Sequence, residues 1–416
     1  YLAASGDGAL LDEPVSFFHP EGDAQAEQAP LRVHLERALA VIAARRIPDT
    51  WLAAYGNGDW NDSLQPLDPA MREHLCSAWT VTLHYQTLTT LADAFRHLDL
   101  SAQADAFGAQ AGQVRADFQR LLMPDGILAG FADFSDPDGI DYLVHPRDRT
   151  TGLSYSLLPM IHAVITGLFT PEQAERHLEL IRQHLLGSDG ARLFDRPLHY
   201  RGGLQRQFQR AESSSFFGRE IGLMYTHAHL RYAEALWRHG DAEGFFQALC
   251  QANPIGLREL VPAAAPRQSN CYYSSSDAAF PDRYAADADY AKALTGDIPL
   301  EGGWRVYSSG AGIGLGLILR GLLGLRLERD RLVIDPVIPA HLDGLEAELT
   351  LAGQTLHVRY HIRGAGHGPT AVRLDGVALA FERGQSPYRT GAAEIPLGAF
   401  RTDQGSGRHR LEIELG

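Results

Sequence analysis

The chain has 416 residues, more than one hydrophobic core usually fills, and its apolar and charged fractions of 45% and 21% are those of an ordinary globular protein. Its formal net charge of -14, without a basic block, argues against nucleic acid and anionic membrane as partners, because both would be repelled. Cys76, Cys250 and Cys271 lie far apart and indicate neither a disulfide framework nor a zinc site or other metal centre, so a reducing cytoplasm is the expected location.

The first part of the chain has a helical pattern. From residue 30 to about 237 the apolar residues recur mostly at helical spacing, which predicts amphipathic helices in series. Asp68, Ser101 and Thr170 offer capping oxygens at expected helix starts. Long loops rich in Gly, Asp and Pro alternate with short turns, as in a barrel of helical hairpins whose long loops gather at one end and build the site.

The pattern changes after an apolar helix that we predict over residues 312–325. Short alternating strands are predicted at 332–336, 347–351, 355–360 and 411–415. We therefore expect two domains, a helical one over residues 1–328 and a β-rich one over residues 329–416.

A short segment between Gly56 and Ser63, with the sequence Gly-Asn-Gly-Asp-Trp-Asn-Asp-Ser, joins an indole, an amide and two carboxylates. These side chains suit cleavage of a sugar bond, because an aromatic face packs on a pyranose ring and a carboxylic acid protonates the departing glycosidic oxygen. A glycine loop rich in aspartate can equally be a turn that caps the next helix. The segment alone does not decide between these readings.

Two later segments favour a site. The run from Arg219 to His229 opens a helix and contains His227, although a lone histidine is more often a buried structural residue. The run from Trp304 to Ile313 places small residues and hydroxyls before an apolar helix, where free N–H groups and the helix dipole favour an anion. A close-packed glycine turn is the alternative for this second run.

Together the three segments resemble the phosphorylases of glycoside hydrolase family 94. The resemblance makes Asp62, the last carboxylate of the Asp-Trp-Asn-Asp motif, the catalytic acid of an inverting phosphorolysis. Inorganic phosphate is then the nucleophile and co-substrate, and no other cofactor is implied. Trp60 and Asp59 fall in the sugar site. Asp59 could raise the pKa of Asp62 by like-charge repulsion, or serve as a structural cap.

The resemblance also implies a phosphate site. His227 matches the phosphate-binding histidine of the family, and Glu220 matches a sugar contact. The Thr-Gly phosphate loop of the family corresponds to Ser309 and Gly310, or to Ser308 and Ser309 if the match shifts by one residue.

Within the family, the segments 58–66, 273–284 and 303–310 look most like the 1,2-β-oligoglucan phosphorylases. Members of that branch convert β-1,2-linked glucooligosaccharides and phosphate to α-glucose 1-phosphate and a shortened chain. The resemblance therefore implies a β-linked glucooligosaccharide and inorganic phosphate as the binding partners.

Other residues are weaker candidates. Asp277 and Arg283 could contact the oligosaccharide, although an Asp-Arg pair in a loop is more often structural. Arg305 is a weaker phosphate candidate. Trp79 and Trp237 are core residues or sugar platforms, and the core reading is favoured.

The fold implied is mainly α with a β tail: a partial (α/α)6-type helical barrel followed by a small C-terminal β-sandwich-like domain. Because family members carry further segments upstream of the catalytic aspartate, the chain resembles their C-terminal half, and a second chain or a longer polypeptide would supply the rest. Two alternatives stay open. An inverting hydrolase would use Glu220 or Asp277 to activate water, and a fragment without catalysis would only bind carbohydrate.

Overall fold

A computed structural model describes residues 1–22, 26–60, 64–198, 207–209, 223–305, 309–328, 330–351, 353–400 and 408–416. The α-helices are α1 Leu2–Ser5, α2 Leu31–Ala44, α3 Met71–His74, α4 Ala78–His97, α5 Ser101–Leu121, α6 Leu157–Ile165, α7 Pro171–His184, α8 Thr226–His239, α9 Ala242–Ala252, α10 Leu257–Leu260, α11 Arg283–Asp289, α12 Ala291–Thr295, α13 Ser309–Leu317 and α14 Leu397–Phe400. None of the described helices is both long and apolar enough to cross a membrane.

The strands of the described residues are short in the first part of the chain and longer in the last part. They are β1 Pro14–Ser16, β2 Gln28–Pro30, β3 Leu75–Ser77, β4 Phe131–Asp133, β5 Asp141–Leu143, β6 Leu186–Gly187, β7 Gly190–Ala191, β8 Met224–Tyr225, β9 Ser275–Ala278, β10 Leu300–Gly302, β11 Leu325–Glu328, β12 Arg331–Ile334, β13 Glu346–Leu351, β14 Gln354–Ile362, β15 Pro369–Leu374, β16 Val377–Ala378, β17 Glu382–Arg383, β18 Ala393–Pro396 and β19 Arg408–Leu415.

Helical hairpins form the larger part of the structure. Helix α4 packs against α5, α6 against α7, and α8 against α9. Helices α4, α6, α8 and α13 are also neighbours in that order, so we call them the inner helices and α5, α7 and α9 the outer helices. The mainly helical prediction is confirmed for this part of the chain, whereas closure into an (α/α)6 barrel stays a prediction.

The connections between helices alternate in length. Short turns at residues 98–100, 166–170 and 240–241 lead from an inner helix to its outer partner. Long connections lead to the next inner helix: residues 45–77 run from α2 to α4, and residues 122–156 run from α5 to α6. Because each outer helix returns the chain, the inner helices begin at one common end, and the long loops meet there.

Two of the three predicted capping oxygens need correction. Thr170 forms the expected capping box with Gln173 at the start of α7. Helix α5 begins at Ser101 as predicted, but its N-cap residue is Leu100, which offers no side-chain hydrogen bond. Asp68 caps a tight turn by accepting from the N–H of Ala70 at 2.8 Å, and a single helical turn follows.

The apolar helix predicted over residues 312–325 begins and ends earlier than expected. Helix α13 begins at Ser309 and continues as a π-helical turn from Ile318 to Leu322. At Gly324, φ is 66°, and an added Cβ would overlap the backbone of Pro336, so this turn requires glycine. Strand β11 therefore begins at Leu325.

The last part of the chain forms two sheets around one apolar core. The strand order is β11-β12-β18-β17 in one sheet and β13-β14-β19-β15-β16 in the other. Leu332 and Ile334 of the first sheet share a buried cluster with Tyr360 and Ile413 of the second. This sheet-rich region matches the predicted β tail.

The loop between β17 and β18 contacts the end of the helical hairpins opposite the long loops. Tyr388 donates a hydrogen bond to the carbonyl of Phe169 in the turn after α6, at 3.2 Å. In the turn after α8, an added Cβ on Gly240 would lie 2.9 Å from the Arg389 side chain. This loop of the C-terminal part therefore covers two of the short turns, while the long loops lie at the other end.

Buried histidines are expected to make the fold sensitive to acid. Burial lowers the pKa of His84, His162 and His177 to about 4. The unfolded chain, with histidine pKa values of about 6.5, then binds more protons than the folded chain, so stability should fall as the pH drops from about 6.5 to about 4. Replacing His84 by Gln should flatten this dependence in denaturant titrations, and replacing the exposed His341 by Gln should not. An unchanged slope of the unfolding free energy against pH in His84→Gln would contradict this prediction.

Candidate functional site

Three aromatic rings meet at the end where the long loops gather. The ring of Trp60 lies 5.4 Å from that of Tyr225 and 5.9 Å from that of His227, measured between centroids. The rings of Tyr225 and His227 are stacked within 11° at 6.1 Å. We call these three residues the aromatic cluster. It joins the Asp-Trp-Asn-Asp segment to the histidine segment, which are far apart in sequence.

A small sheet brings the remaining candidate segments to the same place. Strand β9 pairs antiparallel with both β8 and β10. Tyr225 pairs with Ser275, and the N–H of Thr226 donates to the carbonyl of Ser274 at 2.9 Å. The N–H of Ser274 in turn donates to the carbonyl of Trp304 at 2.8 Å. Backbone hydrogen bonds thus fix the start of α8 against the loop that leads into α13.

The two histidines of α8 have different surroundings. His229 is fully buried, accepts from the N–H of Ala191 at 3.1 Å and donates to the carbonyl of Ala248 at 2.8 Å, so it is a structural residue. His227 is half-buried in the aromatic cluster. Burial, and then the positive charge of Arg231 one turn later, lower the pKa of His227, so a neutral imidazole is favoured near pH 7.

Gly310 lies in the first turn of α13, at the expected phosphate loop. An added Cβ on Gly310 would overlap the hydroxyl of Tyr272. Burial and the nearby Tyr225 raise the pKa of Tyr272 to about 12, so its hydroxyl stays protonated. The start of α13 is therefore held close to the aromatic cluster, and its free N–H groups and helix dipole favour an anion at this end.

The contact at Gly310 gives a testable prediction. Gly310→Ala should lower the unfolding free energy by about 1–3 kcal/mol, because the new methyl group displaces Tyr272. Gly312→Ala is the matched control, since no atom lies within 4 Å of its added Cβ and alanine favours a helix by about 1 kcal/mol. Denaturant unfolding of both variants tests this. Equal stability of the two variants would contradict it.

Asp59 contacts the start of an inner helix. The hydroxyl of Ser77, the N-cap residue of α4, donates to the Asp59 carboxylate and also accepts from the N–H of Thr80 at 3.5 Å. The half-buried carboxylate thus ties the Asp-Trp-Asn-Asp segment to α4. This contact fits the structural-cap reading of Asp59 and leaves its effect on Asp62 a prediction.

The candidates Asp277, Arg283 and Arg305 lie on the neighbouring loops and strands. Asp277 is in β9. Burial raises the pKa of its carboxyl, and a hydrogen bond from Ser275 opposes this rise. Arg283 is the first residue of α11, directly after the N-cap Asp282. Arg305 is exposed and donates to Gln268 at 3.2 Å. Sugar contacts by Asp277 and Arg283 stay predictions.

Several predicted residues fall outside the described parts of the chain. These are Asp62, Glu220 and Ser308. Ser309 is described as the first residue of α13. Tyr225 was not predicted from the sequence, because it ends the short strand β8 while His227 lies in the first turn of α8, and no single periodicity places the two side chains together.

Comparison with known proteins finds similar sequences and one similar fold. A family model described as "Glycoside phosphorylase C-terminal domain" matches residues 324–408. A 1,2-beta-oligoglucan phosphorylase of Listeria innocua is 40% identical over 95% of this chain and 36% of its own length. An N,N'-diacetylchitobiose phosphorylase of Vibrio furnissii is 23% identical over 91% of this chain and 43% of its own length.

The chain thus spans less than half the length of these relatives. A solved structure described as a sialidase has a TM-score of 0.50 and 12% identity, covering 88% of this chain and 29% of that chain. At this identity the likeness concerns the fold alone.

Proposed function

The chain is a relative of the glycoside hydrolase family 94 phosphorylases, and from this premise we propose that it carries the catalytic acid and part of the phosphate site of a 1,2-β-oligoglucan phosphorylase. The reaction is an inverting phosphorolysis of β-1,2-linked glucooligosaccharides to α-glucose 1-phosphate and a shortened chain. The observation that carries the proposal is the aromatic cluster, in which Trp60 of the Asp-Trp-Asn-Asp segment packs against Tyr225 and His227.

In the proposed mechanism, Asp62 protonates the linkage oxygen while phosphate attacks the anomeric carbon from the opposite face. The bond from this carbon to the linkage oxygen breaks, and a bond to a phosphate oxygen forms. The proton of Asp62 ends on the hydroxyl of the released sugar, Asp62 takes up another proton from water, and the attacking hydrogen phosphate loses its proton to water. Trp60 packs on the sugar ring, and Asp59, Glu220, Asp277 and Arg283 contact its hydroxyls.

The proposed phosphate site uses His227, Gly310 and one or both of Ser308 and Ser309. The free N–H groups of the first turn of α13 and the positive end of the helix dipole favour an anion there. The lowered pKa of His227 makes its imidazole a neutral hydrogen-bond donor rather than a fixed cation. Such a site binds phosphate through directed N–H and O–H groups, and no other cofactor is proposed.

We propose that turnover needs further protein segments, supplied by the same polypeptide or by a second chain. The chain spans 36% of the phosphorylase from Listeria innocua. On α13 and its continuation, Leu315, Ile318 and Leu319 are 59%, 41% and 44% exposed, and α2 buries none of its residues. Such apolar faces suit further helices that would close the ring of inner helices into a barrel.

The experiment is to measure glucose 1-phosphate released from β-1,2-linked glucooligosaccharides with and without inorganic phosphate. It is done with this chain alone and then with its native polypeptide or partner. Release that depends on phosphate is the expected result. Release of glucose without phosphate would instead indicate the inverting hydrolase, and sugar binding without release in either preparation would indicate a binding fragment.

A further inference from the structure

An open cavity of about 740 Å³ lies between the inner helices α8 and α13. Arg231 of α8, one turn after His227, lines one part of it, and Arg326 of β11 lines another. None of the residues proposed above for catalysis or ligand binding lines this cavity. It is therefore a separate feature of the two helices, next to the candidate site.

The charged lining of the cavity is positive on balance. It consists of four arginines and two glutamates, namely Arg231, Arg238, Arg320, Arg326, Glu234 and Glu328. The excess is two positive charges, whereas the formal net charge of the whole chain is -14. Because arginine stays protonated in proteins, this local excess does not disappear by titration.

The two glutamates are already engaged. The carboxylate of Glu234 pairs with Arg231 and also lies 3.9 Å from the guanidinium of Arg238. Glu328 pairs with Arg326 at 2.6 Å. Among the described residues, Arg320 has no ion-pair partner. The cavity thus lacks carboxylates of its own for Arg320 and for most of the charge of Arg238.

Helix α13 borders the cavity with an open groove. Gly312 and Gly316, one turn apart, both line the cavity, and no atom lies within 4 Å of an added Cβ at either position. Two helices can approach closely where small residues face each other, because the distance between their axes depends on the side chains at the contact. The exposed Leu315 and Leu319 occupy neighbouring positions of α13 and its continuation.

We propose that this cavity is the docking site of an acidic helix from the further protein segments. Its apolar side chains would lie in the groove at Gly312 and Gly316, and its carboxylates would pair with Arg320 and Arg238, since arginine binds carboxylates in a bidentate manner. The proposal rests on the proposed function only in that such segments exist. A small anion is the rival occupant.

The test compares melting temperatures of this chain alone and of its native polypeptide or complex, both without substrate. Arg320→Glu should lower the melting temperature of the complete protein by about 2–4 °C, because it places like charges together. This chain alone should not be destabilised, because the new carboxylate faces the remaining arginines. Arg320→Lys keeps the charge and should show a smaller effect.

Arg258→Glu is the matched control for the charge. Arg258 is exposed on α10 and has no ion-pair partner among the described residues. Its reversal should change either melting temperature by less than about 2 °C.

A second variant tests the groove without changing a charge. Gly316→Leu should lower the melting temperature of the complete protein and not that of this chain alone, where the added side chain meets open space. Gly108→Leu is its control, because Gly108 is exposed on α5 and its added Cβ also meets no atom within 4 Å. It should destabilise neither preparation.

Three results would overturn the docking site. One is an unchanged melting temperature of the complete protein in both Arg320→Glu and Gly316→Leu, or equal shifts in the two preparations. Another is a native protein that consists of this chain alone. The third is a rise in the melting temperature of this chain with inorganic phosphate that Arg320→Glu abolishes, which would indicate a small anion. Absence of phosphorolysis would contradict the proposed function but would not alter these melting temperatures.

Discussion

Replacing Asp62 by Asn is expected to slow phosphorolysis of a β-1,2-linked glucooligosaccharide by about 10³-fold or more, without loss of the fold. A positioned general acid contributes about 10²- to 10⁴-fold, and in the proposed mechanism no second carboxylate shares the task. Initial rates of glucose 1-phosphate release measure the effect. Asp68→Asn is the control, because Asp68 is exposed on the following turn and an Asn oxygen can still accept from the N–H of Ala70.

The role of Asp62 as an acid can be separated from a role in binding. A β-glucosyl fluoride has a leaving group that needs little protonation, so Asp62→Asn should use it far better than it uses the oligosaccharide. Oligosaccharide activity within tenfold of the unchanged enzyme would contradict the assignment. So would an equal loss with both substrates, which would indicate a positioning role.

Replacing Arg389 by Ala is expected to lower the unfolding free energy by about 3–5 kcal/mol, because the change leaves the carboxylate of Asp335 buried without its main partner. The two side chains are 4% and 9% exposed and form a bidentate pair at 2.7 and 3.0 Å. Arg389 also donates from Nε to the carbonyl of Trp237 at 3.1 Å. It therefore links the C-terminal sheets to the end of α8.

Denaturant unfolding of Arg389→Ala measures this loss. Arg96→Ala is the control, because Arg96 and Asp93 are 57% and 68% exposed and such pairs contribute less than about 1 kcal/mol. A similar small loss in both variants would contradict a stabilising role for the buried pair. Separate unfolding transitions for the helical part and the sheets in Arg389→Ala would indicate that the pair couples the two cores.

Much of the architecture could be predicted from local pattern. The spacing of apolar residues and the positions of capping and turn residues predicted the helical hairpins and the helix start at Thr170. The same spacing predicted the strands β12, β13, β14 and β19. The short sheet β8-β9-β10 could not be predicted, since Ser275 to Ala278 is too short and polar to signal a strand. Its formation depends on backbone pairing with Tyr225 and on the close approach of Gly303.

The candidate site was predictable only as separate segments. The sequence pointed to Trp60, His227 and Gly310, but the contacts among the aromatic rings depend on how three inner helices and one small sheet pack. The same limit applies to Arg320, whose sequence context favours an ordinary exposed charge. The cavity beside it became visible only with the packing of α8 against α13.

The contacts between the C-terminal part of the chain and the turns after α6 and α8 have an evolutionary consequence. A substitution in the turns near Phe169 or Gly240 disturbs the helical hairpins and the C-terminal sheets together, because both pack there. A substitution in a long loop at the other end changes the site but leaves that packing in place. Among homologous chains, new sugar preferences should therefore arise through the long loops, while the two covered turns and the residues that contact them change slowly.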